Sequence, residues 1–340
     1  MGNVTSGIGA YKSILGGRLG ITKDDELVLG GRVLNTGYAA LGAGVPYYCD
    51  PDNGDNNLSG RTPGTAVASL VTALGLTTAE QNDAVVLIGD GNTTGTARLT
   101  AELDWAKDAV HLVGIAAPSR ESQRARISHP TSAVTNFNLF KVSGSGCAFE
   151  NFSLFQGVGQ ATTDEKLMEV TGSRNSFDGV AIMGIGATAG AARAGSYDLY
   201  LNGGGENVFR NCSIGVETIQ RSAANANVRI RNRAQRNQFE DCDFVVSASS
   251  NAVLNIDADS NDALGGSTMV FKRCFMRNLL GIPSGVAQTV SITFDAANNG
   301  TIYVLDSWTQ AAAWAAASAR VQLANGGAAA AGGGETIDSA

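Results

Sequence analysis

The feature that most constrains the fold is a repeat of about 30 residues in the middle of the chain. Five segments follow the pattern apolar-x-x-apolar-x-apolar, and each begins with a phenylalanine. These residues, 28, 32, 30 and 32 positions apart, are Phe149, Phe177, Phe209, Phe239 and Phe271. Such a period is typical of solenoids, in which each repeat forms one coil stacked on the next. We therefore expect the five rings to stack in one column inside a solenoid.

The spacing inside the motif predicts a sharp bend between two short strands. Its second gap, of two residues, fits a strand whose alternate side chains face inward, whereas the first gap of three breaks that alternation. The third motif position should therefore lie at the bend. Including a weaker sixth copy, this position holds Asn151, Gly179, Asn211, Asp241, Arg273 and Asp306. Because Asn, Asp and Gly tolerate a left-handed backbone best, composition and spacing agree on a bend.

These two features predict an all-β, right-handed parallel β-helix with coils of about 28–33 residues, each built from three short strands. Two residues before the motif, Asn175, Asn207 and Asn237 recur in three successive copies. They form either a second asparagine ladder at a turn or three unrelated surface residues. The sequence leaves this choice open.

Three of the five cysteines share one position of the repeat. Cys212, Cys242 and Cys274 all occupy the inward slot that Phe152 and Val180 fill in other coils. A small apolar residue suits that slot, so we interpret the cysteines as structural; a metal or redox column is the alternative. The odd count and the lack of close pairs favour neither a disulfide framework nor a zinc site.

Residues 47–66 form an Asp-, Asn- and Gly-rich stretch that ends in a Pro-Gly-Thr step before an apolar segment. This stretch resembles the start of phage tailspikes and other pectate-lyase-like β-helices, and residues 82–91 resemble the first coil of that family. The resemblance implies a helix near residues 66–76 that caps the solenoid, and a β-helix over residues 47–309.

The two ends of the chain differ in composition from the repeat. Residues 1–46 are rich in Gly-Gly and Gly-x-Gly steps, and residues 310–340 are rich in Ala and Gly. Segments of this kind are poor formers of a packed core. We expect them to be an N-terminal arm and a C-terminal arm that dock on a neighbouring subunit or a larger assembly.

Residues 95–99, 105–118 and 203–209 are similar to β-helix proteins encoded among phage head genes. That resemblance implies a virion protein, assembled in the host cytoplasm, that decorates or stabilises the capsid. It also implies a homotrimer and contacts with the major capsid protein or other virion proteins.

We predict no catalytic, cofactor-binding or metal-binding residue, and hence no enzyme. The acids Asp178, Glu240, Asp241 and Asp243 lie at outward or corner positions, where solvated charges are common. The net charge of −7 disfavours nucleic-acid binding, and no apolar run reaches membrane-spanning length. Two alternatives remain: a tailspike-like polysaccharide hydrolase or lyase, and an adhesin that binds glycan without cleaving it.

Overall fold

The computed structural model describes residues 44–89, 94–116, 125–133, 135, 137–159, 163–279, 285–316 and 320–324, together with three short strands nearer the N-terminus. Three parallel sheets run along the solenoid. The predicted all-β, right-handed parallel β-helix is confirmed. In each regular coil the chain passes through the seven-stranded sheet, then the ten-stranded sheet, then the eight-stranded sheet.

The strands of each sheet follow in order. The ten-stranded sheet contains Pro46–Cys49, Ala84–Ile88, His111–Ile115, Ala148–Glu150, Ser176–Asp178, Val208–Arg210, Gln238–Glu240, Thr268–Lys272, Thr301–Leu305 and Val321–Leu323. The eight-stranded sheet contains Ala97–Arg98, Arg126–Ser128, Ser153–Phe155, Ala181–Met183, Ser213–Gly215, Asp243–Val246, Phe275–Asn278 and Trp308–Thr309. The seven-stranded sheet contains Leu103–Trp105, Phe140–Val142, Lys166–Val170, Tyr197–Asn202, Ala226–Arg231, Leu254–Ala258 and Ile292–Phe294. A small antiparallel sheet contains Leu19–Ile21, Leu27–Leu29 and Arg32–Val33.

The bend between the ten-stranded and eight-stranded sheets has a left-handed backbone in each of the six motif copies. The φ angles there are 55° at Asn151, 63° at Gly179, 52° at Asn211, 53° at Asp241, 51° at Arg273 and 47° at Asp306. Each bend turns the chain within one residue, so the next strand starts on a new side of the solenoid. Even the arginine copy adopts this conformation, with its guanidinium on the Asp241 carboxylate of the coil before.

The five motif phenylalanines are fully buried and stack face to face. Ring centroids of neighbouring coils lie 4.7, 4.5, 4.7 and 4.9 Å apart, and no two neighbouring rings are tilted by more than 11°. This spacing matches the distance of about 4.8 Å between hydrogen-bonded strands. The rings therefore stack in parallel because each is attached to the next rung of the same sheet.

Asn175, Asn207 and Asn237 form a buried ladder along the turn before the ten-stranded sheet. The Oδ1 atoms accept hydrogen bonds from the backbone N–H groups of Cys147, Asn175 and Asn207, at 2.8, 2.9 and 2.9 Å. Each side chain thus links its own coil to the coil before. The three asparagines therefore form a ladder at a turn and are not unrelated surface residues.

The capping helix spans Leu70–Leu76 and begins four residues later than predicted. Val67 cannot start the helix because its backbone hydrogen-bonds with Tyr48 and Asp50 beside the first strand. Ser69 then caps the helix by accepting from the N–H of Thr72. A 3₁₀ turn, Pro63–Thr65, precedes it, and a second short helix spans Thr188–Ala191.

The C-terminal boundary of the β-helix also differs from the prediction. The strand Val321–Leu323 extends the ten-stranded sheet beyond residue 309, and Trp314 is fully buried. Trp314 and this strand belong to a further partial coil, so the described residues 310–316 and 320–324 are not a separate arm. Residues 325–340, like most of residues 1–43, lie outside the described residues. No helix in the described part is long and apolar enough to cross a membrane.

Candidate functional site

The cysteine column is closed to solvent. Cys212, Cys242 and Cys274 are at most 1% exposed, and their thiols point to backbone carbonyls, as between Cys242 Sγ and Phe209 O at 3.4 Å. Burial raises the pKa of Cys242 and of Cys274 well above the usual value. Both therefore remain neutral thiols at physiological pH, which makes them poor nucleophiles and poor metal ligands. No group of three metal-ligating side chains occurs within the described ranges.

Three of the four acids considered from the sequence are ion-paired between coils. Glu240 lies 3.0 Å from Arg210 and 3.5 Å from Lys272, measured from carboxylate oxygen to nitrogen. The Arg210 hydrogen bond lowers the pKa of Glu240. Asp241 pairs with Arg273 at 2.7 Å, and Asp243 pairs with Arg277 at 2.6 Å.

The fourth acid, Asp178, belongs to a different arrangement. It lies in register with Glu150 on the outer face of the ten-stranded sheet, one rung apart. Burial, and then the negative charge of Asp178, raise the pKa of Glu150 to about 7. A carboxyl with this pKa can either donate or accept a proton near neutral pH. Asn211 Nδ2 donates to Asp178 Oδ1 at 2.9 Å and fixes its orientation.

A groove of about 680 Å³ opens on the described surface beside the first residues of strands in the seven-stranded sheet. Its lining is Glu102, Phe137, Asn138, Thr163, Asp164, Lys166 and Arg193. The groove thus combines two carboxylates, two cations, an amide and one aromatic ring. Arg193 Nε lies 3.8 Å from Asp164 Oδ1, and both side chains remain more than one-third exposed. These groups are therefore available to a ligand.

Beside the groove, aromatic and charged side chains pack together on the outer side of the same sheet, where Tyr197 is buried and Tyr200 is half-buried. Tyr197 and Tyr200 lie 5.1 Å apart, and the Arg229 guanidinium lies 5.4 Å from the centre of the Tyr197 ring. Arg229 and Arg231 both bind Asp257, at 3.0 and 2.8 Å. Asp257 lies within the strand Leu254–Ala258.

No short pattern in the sequence predicts this groove. Glu102, Asn138 and Lys166 come from three successive coils, and Arg193 comes from the loop that precedes the strand Tyr197–Asn202. They share no short motif, because neighbours across coils are about 30 residues apart in the chain. Tyr200 alternates with the inward-facing Leu199 and Leu201, which is a local signal of an aromatic ring on the outer face of this sheet. Trp105 and Trp314 are buried, and Trp308 is 40% exposed at the far end.

Comparison with known proteins identifies the fold. No protein-family model matches the chain, and no curated protein is significantly similar to it in sequence. Among solved structures, pectate lyase Pel9A aligns with a TM-score of 0.51 and 13% identity, over 83% of this chain and 76% of the lyase. The pectin methylesterase from Aspergillus niger aligns with a TM-score of 0.49 and 14% identity, over 83% of each chain. ORF18 of Geobacillus virus E2 aligns with a TM-score of 0.44 and 11% identity, over 70% of this chain and 48% of that protein.

The prediction that the chain is not an enzyme is contradicted by this comparison, because the neighbour with a TM-score of 0.51 is a lyase. That prediction relied on the lack of a catalytic motif. A solenoid needs no such motif, since reacting groups on adjacent coils lie far apart in the chain, as Glu150 and Asp178 do. At these identities the likeness itself concerns the backbone. The chain has the right-handed parallel β-helix fold, which it shares with pectate lyase Pel9A.

Proposed function

We propose that this chain is a β-helix component of a bacteriophage particle that decorates and stabilises the capsid. The observation that carries the proposal is the unbroken interior, in which the column from Phe149 to Phe271 and the asparagine ladder join successive coils. The similarity of residues 95–99, 105–118 and 203–209 to proteins encoded among phage head genes points to the same role.

An interior of this kind suits a load-bearing position. Each coil buries its apolar side chains against the coils on both sides, so local opening of one coil exposes the faces of two neighbours. A rod with these contacts resists deformation along its whole length. We further propose that three copies assemble and that the terminal segments contact the major capsid protein.

Purified particles test the proposal directly. We expect mass spectrometry to detect the chain in intact virions, and cross-linking to join it to the major capsid protein. Light scattering of the isolated protein should give three times the chain mass of 34.9 kDa. Absence from the particle would contradict the proposal, and cross-links only to tail-tip proteins would favour an adhesin.

The groove favours a second candidate function, namely recognition and cleavage of a polysaccharide. Sugar hydroxyls bind to carboxylates, amides and cations, and Glu102, Asn138, Asp164, Lys166 and Arg193 supply all three in one groove. Glycosidic cleavage commonly uses two carboxyl groups on opposite sides of the scissile bond. Glu102 and Asp164 are the two carboxyls present there.

Release of reducing ends from host-surface polysaccharide tests this second function. We expect Asp164→Asn to lower the rate by more than about tenfold, as removal of an acid–base group does. Asp259→Asn is the matched control, because Asp259 is exposed and lies outside the groove. Equal rates for the two variants would exclude cleavage in the groove, and unchanged glycan binding would exclude recognition there.

A further inference from the structure

A closed polar cluster lies at the corner between the eight-stranded and seven-stranded sheets, next to the groove. It contains Glu165, Asp198 and Arg221, which are all fully buried. Asp198 belongs to the strand Tyr197–Asn202, and Glu165 immediately precedes the strand Lys166–Val170. Arg221 lies in the loop of residues 216–225, where its backbone N–H donates to Ser247 O at 2.7 Å.

The Asp198 carboxylate has a full set of partners. Its Oδ1 accepts from the N–H groups of Gly184 and Ile185, at 2.6 and 2.9 Å. Its Oδ2 accepts from Arg221 Nη2 at 2.7 Å and from Asn227 Nδ2 at 3.0 Å. Asp198 therefore satisfies only one nitrogen of the buried guanidinium.

Several other polar atoms of the cluster have no hydrogen-bond partner among the described residues. Arg221 Nε and Nη1 have no acceptor, and Glu165 Oε1 has no donor. Glu165 Oε2 accepts from the N–H of Ala187 at 3.4 Å, and the backbone of Val158 also interacts with this carboxyl group. The positive charge of Arg221 lowers the pKa of Glu165, yet no ion pair within 4.0 Å is formed between these two described residues. Buried donors and an acceptor that remain unpaired require a further group.

The chemistry of these unpaired atoms defines which group can pair with them. The occupant must accept from the guanidinium and donate to a carboxyl oxygen, and it must be small because the cluster is enclosed. A cation would be repelled by Arg221, and an anion by the neighbouring Asp198. Water meets each requirement, and buried waters commonly join polar groups that cannot reach one another.

We propose that at least one internal water bridges Glu165 Oε1 and the free nitrogens of Arg221. Burial raises the pKa of Glu165 to about 8, so at neutral pH the carboxyl keeps its proton and supplies a second donor to the water. Gly190 makes this arrangement possible, since a Cβ there would lie 2.0 Å from Glu165 Oε2.

The bridge would join the wall of the groove to the interior. Glu165 lies between Asp164 and Lys166 in the chain, and both of these residues line the groove. On the other side, Asn225 Nδ2, in the same loop as Arg221, donates to Ala191 O at 2.9 Å. The water would therefore link the 216–225 loop to Glu165, in addition to the direct hydrogen bond that joins this loop to the 184–196 loop.

A high-resolution crystal structure and ¹⁷O magnetic relaxation dispersion test the proposal on the full chain. We expect electron density for a water within hydrogen-bonding distance of both Glu165 Oε1 and Arg221. We also expect Glu165→Leu to lower the dispersion amplitude by the contribution of at least one long-lived water. Glu165→Gln should retain the water, because an amide also donates and accepts.

Asp164→Asn serves as the control, since it changes the adjacent acid on the exposed side and should leave the dispersion unchanged. A direct Glu165–Arg221 ion pair or an empty gap in the crystal structure of the unmodified chain would overturn the proposal. That structure decides the question even if Glu165→Leu does not fold.

Discussion

Truncation of Phe209 to alanine provides the most direct measure of what holds the coils together. The ring is fully buried and lies between the rings of Phe177 and Phe239, at 4.5 and 4.7 Å. Removal of a buried phenylalanine side chain costs about 3–5 kcal/mol. Because both neighbouring rings are attached to hydrogen-bonded strands, they cannot collapse into the cavity. We therefore expect the free energy of unfolding to fall by about 5 kcal/mol, near the upper end of this range, because two stacking contacts are also lost.

Guanidinium chloride unfolding followed by far-ultraviolet circular dichroism measures this loss. Phe275→Ala is the matched control, because Phe275 is only half-buried on the outer face of the eight-stranded sheet. We expect that control to cost about 1 kcal/mol, as a peripheral truncation does. The reasoning is refuted if Phe209→Ala costs no more than Phe275→Ala, since the ring column would then contribute nothing beyond ordinary surface packing.

Three further predictions concern the ladders and the buried acids. Asn207→Ala should cost about 1–3 kcal/mol in the same unfolding assay, because the buried N–H of Asn175 would lose its acceptor; an unchanged midpoint would contradict this. The Cys242 thiol should not react with a thiol reagent in the native protein and should react after unfolding, since it is buried and protonated. Glu150 and Glu165 have pKa values raised by burial to about 7 and 8, so between pH 4.5 and 8 the unfolded chain releases protons that the folded chain keeps. Stability should therefore fall as pH rises through this range, and the double glutamine variant should show a flatter profile.

The repeat predicted most of the fold because its sequence signals are local and periodic. The bend at Asn211 follows from one gap of three residues and one residue type, and the left-handed φ of 52° is the structural counterpart. The capping helix was placed less accurately, since the sequence does not show that Val67 pairs with the first strand. The end of the solenoid was also misplaced, because Trp314 in an alanine-rich segment shows no repeat.

A second buried polar series was available in the sequence and was overlooked. Asp198, Asn227 and Asn255 lie at one register position of the seven-stranded sheet, 29 and 28 residues apart. Asn255 Nδ2 donates to Asn227 Oδ1 at 3.2 Å, and Asn227 Nδ2 donates to Asp198 Oδ2 at 3.0 Å. All three side chains are fully buried.

The sequence by itself determined the class of fold, the inward residues and the residues at the sharp bend. These depend on the alternation of strands and on backbone preference, which operate within a few neighbouring residues. The tertiary structure alone decided which side chains meet in the groove and how Glu165 is buried near Arg221. The physical reason is that loop lengths between coils vary, so residues become neighbours across rungs only once the coils have stacked.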